Sequence, residues 1–350
     1  MKFNKSLKNS HASYISNLYT IDCRLGTNPY GHPELNSDIS ADILQNLNEY
    51  YDFSWIAKLS IQTAKYINCD PECVFFGNGS MPILSTLFNK LLDSQSKRMI
   101  GIGPQFVDAI SEWKLSGGEY LAVHDSDELI SSIINTKPDV VYIDNPNNPS
   151  GKVYPKQELQ AIELACREAA TLLIVDEAYG DYLNMSESMI GDTQTSDNII
   201  VVRSFSKGLG MAGIRLGYAV VPKSLCGHLT RITIPFTPSI PSIKIACSAL
   251  ESAKQFMSQS IAQTQATKSR MIAAFKECGI VALNSDKRTP IFMVYMEGKN
   301  AAAWFEDKGI LVESCHHFKE TCKSMSREYA RVRIVGNNYD LEHLLYRLKA

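Results

Sequence analysis

Short apolar runs recur through the middle of the chain, with polar, helix-patterned stretches between them. "KRMIGIG" (97–103), "PDVVYIDNP" (138–146), "TLLIVDEAY" (171–179), "NIIVVRSFSK" (198–207) and "RLGYAVV" (215–221) each predict a strand, and a helix is expected from about Lys156 to Ala170. Strands apolar almost throughout have no water-facing side. They predict an α/β fold with a mostly parallel sheet sandwiched by helices. Asn148, Asp176 and Lys207 fall just beyond strand ends, where open α/β sheets bind their ligands. After about residue 240 the pattern changes to one long helical stretch, "IKIACSALESAKQFMSQSIAQTQATKSRMIAAFKECG", then the short strands "PIFMVYM" and "ARVRIVG". The expected organisation is an N-terminal segment (1–40) packing on a smaller α+β domain (241–350), with a large domain over 41–240.

Composition narrows the function. The chain has 350 residues, 45% hydrophobic and 21% charged, enough for a sizeable core in two domains. Its formal net charge of -2 supplies no basic excess for nucleic acid, and no apolar run reaches the roughly 20 residues of a membrane span. "MKFNKSLKNSHASYISN" lacks the apolar core of a secretory signal. The nine cysteines are scattered; "CDPEC" (Cys69, Cys73) and "CHH" (Cys315–His317) have no matching ligand pair, so no metal is expected, and reduced thiols fit a cytoplasmic protein.

Four stretches carry candidate chemistry. Asp176 ends the strand "LLIVD", so its carboxylate is expected to be partly buried against a cation; alone, it reads rather as a strand-end aspartate capping a nearby helix. "DNPNNPSG" (144–151) is a turn, within which Asn148 offers donor and acceptor. "FFGNGS" (75–80) places small residues between a strand and a helix, a weak phosphate-site pattern through exposed amides and Ser80. "SFSKGLG" (204–210) sets Lys207 among serines and glycines, with Arg215 eight positions on. Together these are the groups that pyridoxal phosphate requires.

The order "GNGS", "NPNNPSG", "DEAY", "SFSKGLGMAGIRLGY" resembles the class I/II aminotransferases, of pyridoxal phosphate fold type I, over nearly the whole chain. The resemblance implies Lys207 as the Schiff-base lysine and proton shuttle, and Asp176 as partner of the ring nitrogen. It implies Tyr179 and Asn148 on the ring hydroxyl, and Gly79, Ser80, Ser204, Ser206 and Arg215 around the phosphate. "GPQF" resembles the segment whose aromatic stacks on the ring, which gives Phe106 that role. "NEYYD" (48–52) resembles the segment whose tyrosine crosses to a neighbour's phosphate, which implies Tyr50 and a homodimer with active sites at the interface. Within the family, the chain is similar to the branch of histidinol-phosphate aminotransferase and threonine-phosphate decarboxylase, through "LGTNPYG" (Thr27, Asn28), "ILVESC" and "YARVRI". The substrate-carboxylate arginine of the family corresponds to Arg331 or Arg333, which strand alternation puts on one face; Arg331 is favoured because Tyr329 precedes it by two.

Three positions depart from the branch: Glu313 stands where phospho-substrate relatives carry arginine, Ala109 where tyrosine is frequent, and Thr27 where histidinol-phosphate enzymes carry glutamate. An acidic Glu313 would repel a substrate phosphate. The expectation is therefore an α-amino acid with a basic, arginine-like side chain near Glu313, with Glu49 and Asp52 as further acids. A surface Glu313 would remove that expectation. Transamination is the expected reaction. Elimination or cyclisation of a modified basic amino acid, and decarboxylation, use the same residues, and a non-catalytic regulator on this fold is the reading from another class.

Overall fold

The computed structural model describes residues 20–45, 50, 53–92 and 97–349. After the short strand β1 (Ile21–Asp22) come β2 (Val74–Gly77), β3 (Arg98–Ile102), β4 (Glu119–Val123), β5 (Val140–Asp144), β6 (Leu172–Asp176), β7 (Ile199–Ser204) and β8 (Gly217–Val220). Strands β2 to β8 form one seven-stranded sheet in the order β2-β8-β7-β6-β5-β3-β4. Pairing is parallel from β7 through β6, β5 and β3 to β4, and β8 runs antiparallel to both β7 and β2. Every residue of β5, β7 and β8 is buried, as strands covered on both faces require.

The strands are shorter than the sequence pattern predicts. β8 begins at Gly217 rather than Arg215, because Arg215 takes a left-handed backbone (φ 50°) that interrupts an extended run. β4, "EYLAV", is the sheet edge, where Glu119 and Leu121 are exposed.

Four more strands, β9 (Val281–Ala282), β10 (Ile291–Tyr295), β12 (Glu313–Ser314) and β13 (Tyr329–Arg333), make an antiparallel sheet in the order β12-β13-β10-β9. β11 (Ile310–Leu311) pairs in parallel with β1. The 38-residue helix Ile240–Glu277 joins the two parts. Ser239 caps it by accepting from the Ser242 amide, and Pro241 sits in its first turn, where the missing N–H costs nothing. Its first half buries Ile243, Ala246 and Met257 in the large-sheet core, and its second half buries Met271, Ala274 and Phe275 in the C-terminal core. The N-terminal segment touches both parts. Arg333 donates its backbone amide to Cys23 O at 2.8 Å, while Asn36 donates to Ser248 Oγ at 2.7 Å and Leu35 packs on the large-sheet core. Among the described residues no helix is long and apolar enough to cross a membrane.

Under the large sheet lies a buried ionic knot. Arg203 donates through Nε and Nη2 to Glu177 Oε2 at 3.0 and 2.7 Å, and its Nη1 lies 3.8 Å from Asp181 Oδ1. Ser188 Oγ and the Met189 amide also donate to Glu177, each at 2.7 Å, and Tyr66 OH donates to Asp181 at 3.1 Å. Removing one partner of a buried pair strands the other charge, so Glu177→Ala should lower unfolding stability by roughly 3–5 kcal/mol. Arg270→Ala, in an exposed pair with Glu342, should cost less than about 1 kcal/mol. Denaturant unfolding of the two variants against the parent checks the contrast.

Candidate active site

Two aspartates stand side by side at strand ends. Asp144 closes β5, Asp176 closes β6, and the two are in register. Asp176 accepts the Tyr142 hydroxyl at 2.8 Å and the Ala178 amide at 2.9 Å. Burial pushes its carboxyl up to about 6, and those two donors and Lys207 pull against that rise. Asp176 is therefore an anion at neutral pH, in a cleft closed to water.

Lys207 follows β7, half-buried in the turn after Ser204. Burial drives its amine down to about 8; Arg331 and Arg215 add to the drop, while Asp176 and Asp108 oppose it. Its Nζ lies 5.6 Å from the centre of the Tyr179 ring. The N-terminal segment holds the lysine turn through Asn28, whose amide donates to Lys207 O at 2.9 Å and whose Nδ2 donates to Gly208 O at 2.7 Å. Gly210 permits this approach: its φ is +65°, and a Cβ there would lie 1.8 Å from Gly31 O. The Tyr179 hydroxyl is buried with no partner among the described residues. It fills the space opposite Gly26, where a Cβ would sit 1.8 Å from it.

Asp144 is the residue that sequence reasoning passed over. Its Oδ2 accepts from the Phe106 amide at 3.1 Å and the Asn148 amide at 2.9 Å, and its Oδ1 accepts from Asn147 Nδ2 at 2.7 Å. Burial, with Asp176 beside it, pushes its carboxyl up to about 7 against those three donors. The signal was present: "VVYID" ends as "LLIVD" does.

The expected phosphate groups also converge. Gly79 has φ +112°, and a Cβ on it would lie 2.9 Å from Arg215 Nη2. Arg215 Nη1 lies 3.5 Å from Ser206 Oγ and donates to Ala212 O at 2.9 Å. Ser80 opens the helix Ser80–Thr86, and a Cβ on Gly217 would press within 2.6 Å of its amide nitrogen. Ser204 also shapes the turn, its Oγ accepting from the Ser206 amide at 3.1 Å. Tyr50 is 79% exposed and its ring centre is 4.5 Å from that of Phe236.

On the C-terminal side, Arg331 donates through Nη1 to Asn148 Oδ1 at 2.7 Å and through Nη2 to Arg24 O at 2.6 Å. Arg333, two residues on, turns to Asp22 O at 2.5 Å. Glu313 is no surface residue: it sits opposite Arg331 in register, Oε2 at 4.0 Å from Nη2, with His317 Nε2 3.6 Å from its Oε1. Thr27 is half-buried beside Asn28. Glu49 and Asp52 lie outside the described residues.

A buried anion at a strand end, an amine of lowered basicity, an unpartnered tyrosyl hydroxyl and a Gly-Ser-Arg cup fit a phosphorylated, electron-withdrawing ring. The profile of the class I and II aminotransferases matches residues 22–348. The chain belongs to that family. It is a pyridoxal-phosphate-dependent enzyme of the aminotransferase family. A histidinol-phosphate aminotransferase of Chromobacterium violaceum is 29% identical over 301 residues, covering 83% of this chain and 82% of the relative. The fold is shared with histidinol-phosphate aminotransferase from Sinorhizobium meliloti in complex with pyridoxal-5'-phosphate (TM-score 0.80, 20% identity, covering 94% of this chain and 90% of that one). L-threonine-O-3-phosphate decarboxylase from Porphyromonas gingivalis also shares it (TM-score 0.76, 18% identity, 94% and 98% covered).

Attachment of an aldehyde needs a neutral amine, and Lys207 is protonated below about 8 and neutral above it. The initial rate at which apoprotein takes up pyridoxal phosphate should therefore rise with pH through about 8. Stopped-flow absorbance measures it, and Lys207→Ala should abolish the pH-dependent phase.

Proposed function

We propose that this enzyme transfers the amino group of an α-amino acid whose carboxylate rests on Arg331 and whose side chain is basic. The observation that carries the proposal is the pairing of Arg331 with Glu313 across β12 and β13. Arg331 points to Asn148, on the turn beside the proposed cofactor site, whereas Arg333 is turned to the Asp22 carbonyl; among the described residues the buried Nε of each has no partner. Glu313 and Asp108, whose charge acts on both Arg331 and Lys207, add negative charge where a substrate side chain would lie. A second anion is repelled there and a cation attracted.

Bound pyridoxal phosphate supplies an electron sink for charge left on the amino-acid α-carbon. Asp176 would hold the ring nitrogen, Tyr179 and Asn148 the ring hydroxyl, Phe106 the ring face, and Gly79, Ser80, Ser204, Ser206 and Arg215 the phosphate. Lys207, its amine drawn down to about 8, would accept a proton from the substrate α-carbon and deliver it to the carbon that the cofactor's aldehyde supplies. The exposed Tyr50, beside Phe236, supports a homodimer in which it reaches the neighbouring copy's phosphate. Nine unpaired cysteines support a reducing, cytoplasmic setting. A second reading, histidinol phosphate as substrate, is favoured by the name of the relative from Chromobacterium violaceum.

Single-turnover spectroscopy tests the choice. Offered common amino acids, arginine derivatives, histidinol phosphate and phosphothreonine, the holoenzyme should yield pyridoxamine phosphate and a keto acid from basic donors. Glu313→Gln should lower kcat/KM for those donors about tenfold, the effect of roughly 1.4 kcal/mol, and leave neutral donors nearly unchanged. A response to histidinol phosphate alone would establish the second reading. Loss of carbon dioxide or a leaving group, with the cofactor unchanged, would make the chain a decarboxylase or a lyase.

A further inference from the structure

Lys268 lies in the second half of the long helix, 1% exposed, and makes no ion pair among the described residues. Its Nζ donates instead to oxygens of one loop: Ser285 Oγ at 2.7 Å, Asp286 O at 2.6 Å, Thr289 O at 3.0 Å, Thr289 Oγ1 at 3.1 Å and Ile291 O at 2.9 Å. Five acceptors share three N–H bonds, so the ammonium acts as a hub around which the loop 285–291 is wound. A buried amine with no carboxylate in direct contact, Asp286 acting only at a distance, is costly to keep charged, and an apolar side chain would fill the same helix face at lower cost. Burial draws its amine down to about 7, with Asp286 opposing the drop. Stability alone does not explain a lysine here.

What the loop touches does. The Asp286 amide and Thr289 Oγ1 both donate to Gly151 O at 3.0 Å. Gly151 has φ +68°, and a Cβ on it would lie 2.3 Å from Ile291 O, so the two backbones meet without room for a side chain. The Gly151 amide donates to Asn147 O at 2.8 Å, closing the turn that carries Asn148. In the other direction, Ile291 starts β10, whose Met293 is in register with Arg331 on β13. The 2.7 Å bond from Arg331 to Asn148 spans the same gap. Farther out, Arg288 grips Glu187 through two bonds, at 2.6 and 2.9 Å, tying the loop to the large-sheet part a second time.

We propose that Lys268 is a positioning residue: through the loop 285–291 it sets the spacing between Asn148 and Arg331, and so the place where the substrate carboxylate binds. The proposal rests on the assignment of Arg331 to that carboxylate. Lys268 touches neither substrate nor cofactor; it acts through Gly151 and β10.

The test compares holoenzyme carrying Lys268→Met, the milder Thr289→Val, and Arg270→Ala as a surface control on the same helix. The measurements are KM and kcat for the amino donor, the Kd for pyridoxal phosphate, and amide hydrogen exchange over residues 145–152. Lys268→Met should raise KM about tenfold and Thr289→Val about threefold, with kcat changed less than about twofold and exchange faster over 145–152. Should Lys268→Met fail to fold, Thr289→Val decides alone. A lowered Tm with KM and exchange at parent values would make Lys268 a structural staple and overturn the proposal. If no amino donor is found, the aminotransferase reading fails on its own; exchange over 145–152 and the cofactor Kd still decide on Lys268, and parent values in both overturn it.

Discussion

A carboxylate buried at the end of a β-strand has to be met by N–H groups, and Asp144 meets this requirement with three. Two are main-chain amides from separate loops, so satisfying one anion pulls the Phe106 loop and the Asn148 turn onto the same point. Asp176 sits beside it in register and raises its carboxyl further. The two acids stand at adjacent strand ends, with Lys207 set against Asp176 and with Arg331 and Arg215 acting on Lys207. Asp144, Asp176 and Lys207 are each moved from the basicity they would show alone.

The same balance sets the basicity of Lys207. An ordinary lysine is protonated at neutral pH and takes no proton from carbon. Desolvation and two nearby guanidinium groups bring this one into the physiological range, while Asp176 keeps it from falling further. Glu313 lies beside Arg331, which faces the turn of Asn148, and offsets part of its positive charge.

The strands of the large sheet were legible because double-sided burial writes itself as apolar runs. Asp176, Tyr179, Lys207 and Arg215 were singled out because each lies in a short stretch, "DEAY" or "SFSKGLGMAGIRLGY", whose pattern can be read without distant partners. What stayed hidden depends on pairs far apart in sequence. Asp144 read as part of a turn because one of its partners, the Phe106 amide, is 38 positions away. Alternation placed Arg331 and Arg333 on one face, but only the docking of β13 beside the Asn148 turn separates their partners. Lys268 reads in the sequence as one more polar position on a helix; the loop that buries it arrives 17 to 23 positions later. β4 was missed although "YLAV" is apolar, because the run is short and, at the sheet edge, leaves Leu121 exposed.

The pairing of β1 with β11 has a consequence for the newly made chain. Ile21 finds its partner in Ile310, 289 positions further on, and Cys23 finds its own in Arg333. At about 5–20 residues per second of synthesis, the segment that will hold the lysine turn waits roughly 15–60 s for the strand it joins. During that interval Ile21 and the buried Cys23 have no strand to join. The large sheet can assemble on the ribosome, but Asn28 reaches its final anchorage beside Lys207 only after the C-terminal strands emerge. Competence for chemistry is in this sense the last event of biosynthesis, and a stalled or truncated product would hold a well-packed sheet with an unfinished cleft.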